Sequence, residues 1–242
     1  STSQMLIAFD IPNYRLLFTG RVTSNTGRTM RVFARAWFVY ELTESPLRMG
    51  IATSALTWPM LIMPLFGGIV ADRVDRKRLL LFTESMLVIL WVIVAILITM
   101  DIFEWWYFII SAVISGIIQS FGRPGHQAMI GSIVDSTRLG NAVALDSVSE
   151  TWPRIVAPAL GALLIGVIGI HGLFWLTALA QFITLITLVK IRWEPLDLNN
   201  SRKMRNNIIE AIQHIRKESI IIALVSLGLL SSLFAGSYNF LL

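Results

Sequence analysis

The sequence predicts an all-α membrane protein, and three observations carry that reading. Of 242 residues, 55% are hydrophobic and 14% are charged, and the mean hydropathy is +0.69. Soluble domains carry about a quarter charged residues, so a chain this poor in charge gives much of its exterior to lipid. The apolar residues gather in segments of about 20, the length an α-helix needs to cross a bilayer. The basic residues fall in short runs between those segments, as they do in loops that set membrane orientation.

The segments follow one another closely. The first runs from Tyr14 to Glu41 and is unusually polar. The second, Met49 to Val70, is bent or thinned by Pro59, Pro64, Gly67 and Gly68, and the third runs from Leu79 to Met100. Asp101 and Glu104 mark a turn, after which Trp105, Trp106 and Tyr107 suit an interfacial aromatic belt opening a fourth segment that ends near Ile130. The fifth spans Asn141 to Ile168; Gly169, His171 and Gly172 make a tight turn, and the sixth ends near Val189. Within the polar stretch Lys190 to Ser219, Ile208, Ile209, Ile212 and Ile215 recur at helical spacing, which predicts an amphipathic surface helix. From Ile220 the chain is apolar to Leu242. The predicted domains are therefore a six-helix bundle over residues 1–192, a linker over 193–219 and the start of a seventh helix over 220–242. Ser1 in place of Met, and an apolar stretch at the other end, are what an N-terminal fragment would show; no signal peptide is expected.

Orientation follows from the loops. Arg15, the Arg73, Arg76, Lys77 and Arg78 cluster, Arg123, Arg138 and the basic residues from Lys190 to Lys217 fall on one side, and only Arg48 falls on the other. The basic side is expected to be cytoplasmic, with the N-terminus inside. The net charge of +5 is thereby used by the membrane, and no nucleic-acid partner is expected. There is no cysteine, and His126, His171 and His214 lack ligand spacing, so no metal is expected. No glycine-rich phosphate loop occurs, and no cofactor is expected.

Ionisable residues at membrane depth are the candidate functional groups, because a charge at a helix centre costs about 2.5–3.5 kcal/mol on insertion scales. Arg21, Arg28, Arg31 and Arg35 fall within an arc of roughly 80° on the first helix, so that face must line protein or a cavity. The fifth helix carries Asp146, Glu150 and Arg154 on one stripe, and the third adds Glu84. Two readings stand side by side. Either these charges pair and fix helix packing, or Arg28, Arg31, Arg35 and Arg154 receive an anionic substrate while Asp146, Glu150 or Glu84 takes up a proton. Arg21 is expected to snorkel toward the interface. His126 reads as a plain interfacial histidine sooner than a proton relay, Trp58, Trp91 and Trp175 as packing or lipid-facing residues, and Met60, Met63 and Met86 as a soft lining for a polyspecific pocket.

The loop Gly68-Ile-Val-Ala-Asp72-Arg73-Val-Asp75-Arg76-Lys77 resembles the signature loop of the major facilitator superfamily. Asp75 stands where that pattern has glycine. The resemblance implies that Gly68, Asp72, Arg73, Asp75, Arg76 and Lys77 form a conformational latch, and that the chain is the N-terminal six-helix half of a twelve-helix carrier plus the start of helix seven. It also implies neighbouring first and fifth helices, so that Arg21 or Arg28 could face Asp146 or Glu150 and Arg154 would sit near Arg31. Val39 to Leu47, Phe121 to Ala128 and Leu139 to Ala142 are similar to the branch of enterobactin-exporter-like and macrolide-efflux-like carriers. Ala157-Pro158-Ala159-Leu160-Gly161-Ala162 is similar to the exporters' helix-five bend, centred here on Pro158 and Gly161, with alanine at two glycine positions. What this implies is proton-coupled export of small organic molecules by alternating access in the bacterial inner membrane. The partners would be lipid, a small-molecule substrate, protons and a C-terminal half. The arginine-rich first helix tilts the substrate toward anions, a catecholate siderophore among them. An importer of the same fold, a lipid-acting membrane enzyme and a transport-dead sensor are the alternatives.

Overall fold

The computed structural model describes residues 7–56, residue 59 and residues 75–192. The chain divides into two compact units, Ser1–Glu194 and Pro195–Leu242, and every described residue belongs to the first. The latch residues Gly68, Asp72 and Arg73, the amphipathic linker helix and the seventh segment lie outside the described residues.

Five α-helices carry most of the regular structure among the described residues: α1 Pro12–Thr43, α2 Pro46–Ser54, α3 Arg76–Thr99, α4 Trp105–Ile133 and α5 Ser136–Lys190, with a short 3-10 turn over residues 7–10 before them. Their limits follow local chemistry. Pro12 opens α1 from a position where its missing N–H costs nothing, and Glu44 closes it in the left-handed region (φ 47°), its N–H bonded to the Tyr40 carbonyl. Pro46 then opens α2, whose Ser45 hydroxyl accepts from the Arg48 N–H. Asp75 caps α3 by accepting from the Arg78 N–H at 2.9 Å. That role accounts for an acid where the signature loop has glycine.

α5 is two predicted helices in one. Gly169 (φ 71°, ψ 174°) breaks it into an arm of residues 136–168 and an arm of residues 170–190. The left-handed φ suits glycine, and the reversal falls where the sequence places its turn. Pro153 and Pro158 lie within the first arm and Pro124 within α4, each removing one backbone hydrogen bond.

By length and composition α3, α4 and α5 can each cross a membrane. α1 is excluded from that set by its polarity, although its 32 residues reach about 48 Å at 1.5 Å per residue. It is sheathed instead. α1 lies chiefly against α5, and α3 packs on both α5 and α4. Gly20 and Gly27 let α1 approach the second arm of α5 closely: the Thr184 hydroxyl donates to the Gly20 carbonyl at 3.1 Å, and a side-chain carbon at Gly27 would stand 3.2 Å from the Ala180 methyl. Gly161 meets the Phe33 ring in the same manner.

Two apolar clusters bracket the polar middle of the bundle. One gathers Met30, Ala34, Leu87, Trp91, Phe108 and Phe174, the other Tyr14, Leu17, Leu80, Met129, Ala142 and Leu188. The outward faces carry Ile89, Ile93, Ile155, Leu163, Val167 and Leu179, all exposed. Such a continuous apolar exterior belongs in hydrocarbon rather than in water.

Candidate functional site

A chain of charged side chains ties three helices together. α5 supplies Asp146 and Glu150 one turn apart, α4 supplies Arg123 and His126 one turn apart, and α1 inserts Arg21 between them. Arg21 Nη2 meets Glu150 Oε1 at 2.5 Å, and its Nε lies 3.4 Å from Asp146 Oδ1. That same Asp146 oxygen is 3.3 Å from His126 Nε2, and that same Glu150 oxygen is 3.5 Å from Arg123 Nη2. The order is His126, Asp146, Arg21, Glu150, Arg123. Each shared oxygen has two basic partners, and the two arginines balance the two carboxylates. Asn25 reinforces the α1–α5 contact by donating to the Ser149 carbonyl at 3.0 Å.

Of the two places expected for Arg21, the structure has the one facing the acids rather than the interface: it is the centre of the ion-pair chain, its side chain only 15% exposed. A guanidinium held between two carboxylates gains more than it would by snorkelling. Arg123, counted from sequence with the loop charges, lies inside α4 and is half-exposed. His126 is buried and joins the chain rather than standing at an interface.

Beside this chain lies a polar cavity. Arg28, Arg31, Glu84, Gln119, Thr83 and Gln181 are among its lining residues, as are Arg21, Arg123 and His126. Arg28 donates to Asn25 Oδ1 at 3.4 Å and lines the cavity with the rest of its guanidinium. Arg31 is differently placed. It is 4% exposed, donates to the Thr177 carbonyl at 3.0 Å and to Gln181 Oε1 at 3.1 Å, and lays its guanidinium 4.4 Å from the centre of the Trp91 ring. Gln181 in turn donates to Glu84, so Arg31 and Glu84 are joined through one amide.

Arg35 and Arg154 do not line this cavity. Arg35 is enclosed within the bundle, 6.0 Å from the Phe108 ring, and its Nε has no hydrogen-bond partner among the described residues. Arg154, expected beside Arg31, is exposed on α5 and within electrostatic reach of Arg28. Pro158 and Gly161 sit on the first arm of α5, with Gly161 buried against α1. Trp91, read from sequence as packing, does pack, and its ring face carries a cation as well.

The described part of the expected latch holds helix ends. Arg76 donates to the Ala128 carbonyl at 3.2 Å and to the Ser132 hydroxyl at 2.8 Å, near the end of α4. Lys77 donates to the Val189 and Ile191 carbonyls, at 3.2 and 2.7 Å, where α5 ends. Lys77 satisfies carbonyls left open at the end of α5, and both cations complement the negative end of a helix dipole. Asn13 and Arg192 close the same end by a reciprocal pair of bonds between the Asn13 amide and the Arg192 backbone.

A family model described as a transmembrane secretion effector matches residues 3–232. An uncharacterized MFS-type transporter of Bacillus subtilis is 24% identical over 176 residues, which are 71% of this chain and 40% of that protein. A staphyloferrin A transporter of Staphylococcus aureus is 24% identical over 159 residues, 65% of this chain and 40% of that protein. An enterobactin exporter of Shigella flexneri is 22% identical over 180 residues, 74% of this chain and 44% of that protein. The chain thus spans about two fifths of the length of these relatives. Among solved structures, a POT family transporter in complex with a thioalcohol-conjugated peptide superposes with a TM-score of 0.57 at 16% identity, covering 92% of this chain and 47% of that one. That likeness speaks to the fold, an all-α half of the major-facilitator kind.

Proposed function

The chain belongs to the transmembrane secretion effector family of major-facilitator transporters, and we propose that its carrier exports small organic anions by alternating access, driven by protons. Its family is one of membrane transporters rather than enzymes. In this reading the carrier lies in a bacterial inner membrane with its N-terminus cytoplasmic, supported by the basic residues gathered on one side of the helices. A second half of the carrier, with lipid around both, completes the transport path. Gly68, Asp72 and Arg73 join Asp75, Arg76 and Lys77 in holding one conformation of it.

The observation that carries the anion reading is Arg28. It faces a polar cavity with an amide as its contact, while the neighbouring carboxylates Asp146 and Glu150 are taken by Arg21, Arg123 and His126. An arginine so placed can pair bidentately with a carboxylate or catecholate. Two relatives bear the names of a staphyloferrin A transporter and an enterobactin exporter, which fits a siderophore-like cargo. Arg154 adds positive charge nearby. Arg35, which does not line the cavity, serves the bundle; Arg31 lines it, but its guanidinium is already taken by the Thr177 carbonyl, Gln181 and the Trp91 ring. Proton coupling falls to the ion-pair chain, with Asp146 and Glu150 its acids and Glu84 across the cavity.

The test uses the full-length carrier in cells stripped of their own efflux pumps, loaded with a panel of anionic, neutral and cationic compounds. Wild type is expected to lower retention of the anions, and Arg28→Gln to return it to the empty-vector level at an unchanged amount of folded carrier. Retention of anions that is the same in wild type and Arg28→Gln would remove Arg28 from the substrate path.

A further inference from the structure

His126 sits where a proton would change which partner Asp146 keeps. It is buried in α4, lines the polar cavity, and its Nε2 shares Asp146 Oδ1 with Arg21 Nε, the two approaches being 3.3 and 3.4 Å. We propose that His126 is the protonation switch of this carrier: a proton on its imidazole draws Asp146 away from Arg21 and loosens α1 from α5. The inference rests on the proton-driven reading above and names the residue that does the coupling.

The argument is one of charge and geometry. With the imidazole neutral, Arg21 and Arg123 balance Asp146 and Glu150, and the chain is closed. One proton makes it cationic by a single charge. The added charge stands next to Arg21, because both touch the same oxygen. The other groups facing the site do not absorb it. From α5 come Asp146 and Glu150, and Glu150 is already held by two arginines. From α1 come Arg21 and Arg28, both cationic, and Tyr14, whose hydroxyl donates to the Ala142 carbonyl at 2.8 Å. α4 adds Arg123, Arg154 lies farther along α5, and Glu84 of α3 is held by Gln181 across the cavity. Repulsion therefore falls on the Arg21–Asp146 contact. A charged imidazole makes the stronger bond to Asp146, and Arg21 is left with a Glu150 oxygen that it shares with Arg123. The α1–α5 interface, the most extensive among the described helices, then has two arrangements set by one proton.

Two observations give the proton a path and the switch a lever. His126 opens on the cavity, so the imidazole is not sealed from it. Asn25 ties α1 to Ser149 one turn beyond Asp146, so movement at Arg21 is carried along both helices.

The experiment places spin labels at the exposed Thr19 of α1 and Ser147 of α5, each replaced by Cys in the full-length carrier, in nanodiscs. Distances are recorded at about pH 8 and about pH 5, on either side of the ordinary histidine range. Wild type should gain a second, longer distance population on acidification. His126→Gln, which keeps a hydrogen bond to Asp146 but binds no proton, should show one population at both values. His126→Lys should show the longer population at both, which also guards against a variant that merely misfolds. A wild type without a pH response, or a His126→Gln variant that keeps it, overturns the switch. Failure of the export reading is seen separately: a carrier that clears no compound of the retention panel, yet shows the His126-dependent change, sinks export and leaves the switch standing.

Discussion

Replacing Arg21 with Ala in the full-length carrier is expected to lower its stability by about 3 kcal/mol, read as a fall in the thermal midpoint and in the steady-state amount of folded protein. Arg21 is the one group that touches both Asp146 and Glu150 among the described residues. Without it, two carboxylates on adjacent turns of α5 keep His126 and the half-exposed Arg123 in contact, and Arg28 at longer electrostatic range, to offset them. Removing one partner of a buried pair typically costs about 3–5 kcal/mol, because the other is left charged and poorly solvated. The lower end applies here, since the Glu150 side chain keeps 26% of its exposure. The cause is electrostatic, so neutralising the acids should repair it. Adding Asp146→Asn and Glu150→Gln to Arg21→Ala is expected to recover more than half of the loss. If the triple variant is no more stable than the single one, packing by the arginine stem, and not charge, is what Arg21 contributes.

Arg31→Ala should be about as damaging, by a different route. Its guanidinium satisfies the Thr177 carbonyl and Gln181, lies over Trp91, and is all but sealed from solvent. Truncation orphans the buried Gln181 Oε1 at about 1–3 kcal/mol, takes a second donor from the helical Thr177 carbonyl, and leaves a void between α1, α3 and the second arm of α5. Gln181 also loses the partner that orients it toward Glu84. We expect the folded carrier to fall several-fold, and transport per folded molecule to change alike for anionic and neutral compounds. Arg28→Gln is the contrast: little loss of folded protein and a selective loss of anions. Should Arg31→Ala instead leave stability intact and spare neutral compounds, Arg31 belongs with the substrate and not with the bundle.

The apolar runs were legible because their signals are local: those runs, Gly169 and the polar break at Asp101 and Glu104 each act within a turn or two of where they stand. The helix-opening Pro12 and Pro46 precede the starts read at Tyr14 and Met49. The arginine face of α1 was legible for the same reason, since helical spacing alone puts Arg21, Arg28, Arg31 and Arg35 on one side. What the spacing does not contain is the order of helices in space. Arg123 was counted with the loop charges although the fourth segment, read to near Ile130, already contains it, and α4 continues to Ile133. Arg123 and His126 on α4 match Asp146 and Glu150 on α5 turn for turn, and that complementary spacing is the signal that was available. The partnership of Arg31 with Trp91 and Gln181 has no such signal, because it joins residues of three helices with no shared period. Asp75 is an intermediate case: a helix-capping acid is recognisable locally, but the loop pattern drew attention to a latch instead.

The most direct test of proton-driven outward transport is flux into inverted inner-membrane vesicles carrying the full-length carrier. A radiolabelled catecholate siderophore would be offered outside, with respiration making the interior acidic. Export by proton exchange predicts accumulation several-fold above vesicles lacking the carrier, collapsing when a protonophore is added. Uptake that ignores the gradient, or accumulation seen only in right-side-out vesicles, would contradict it and make the carrier an importer or an uncoupled channel for its anion.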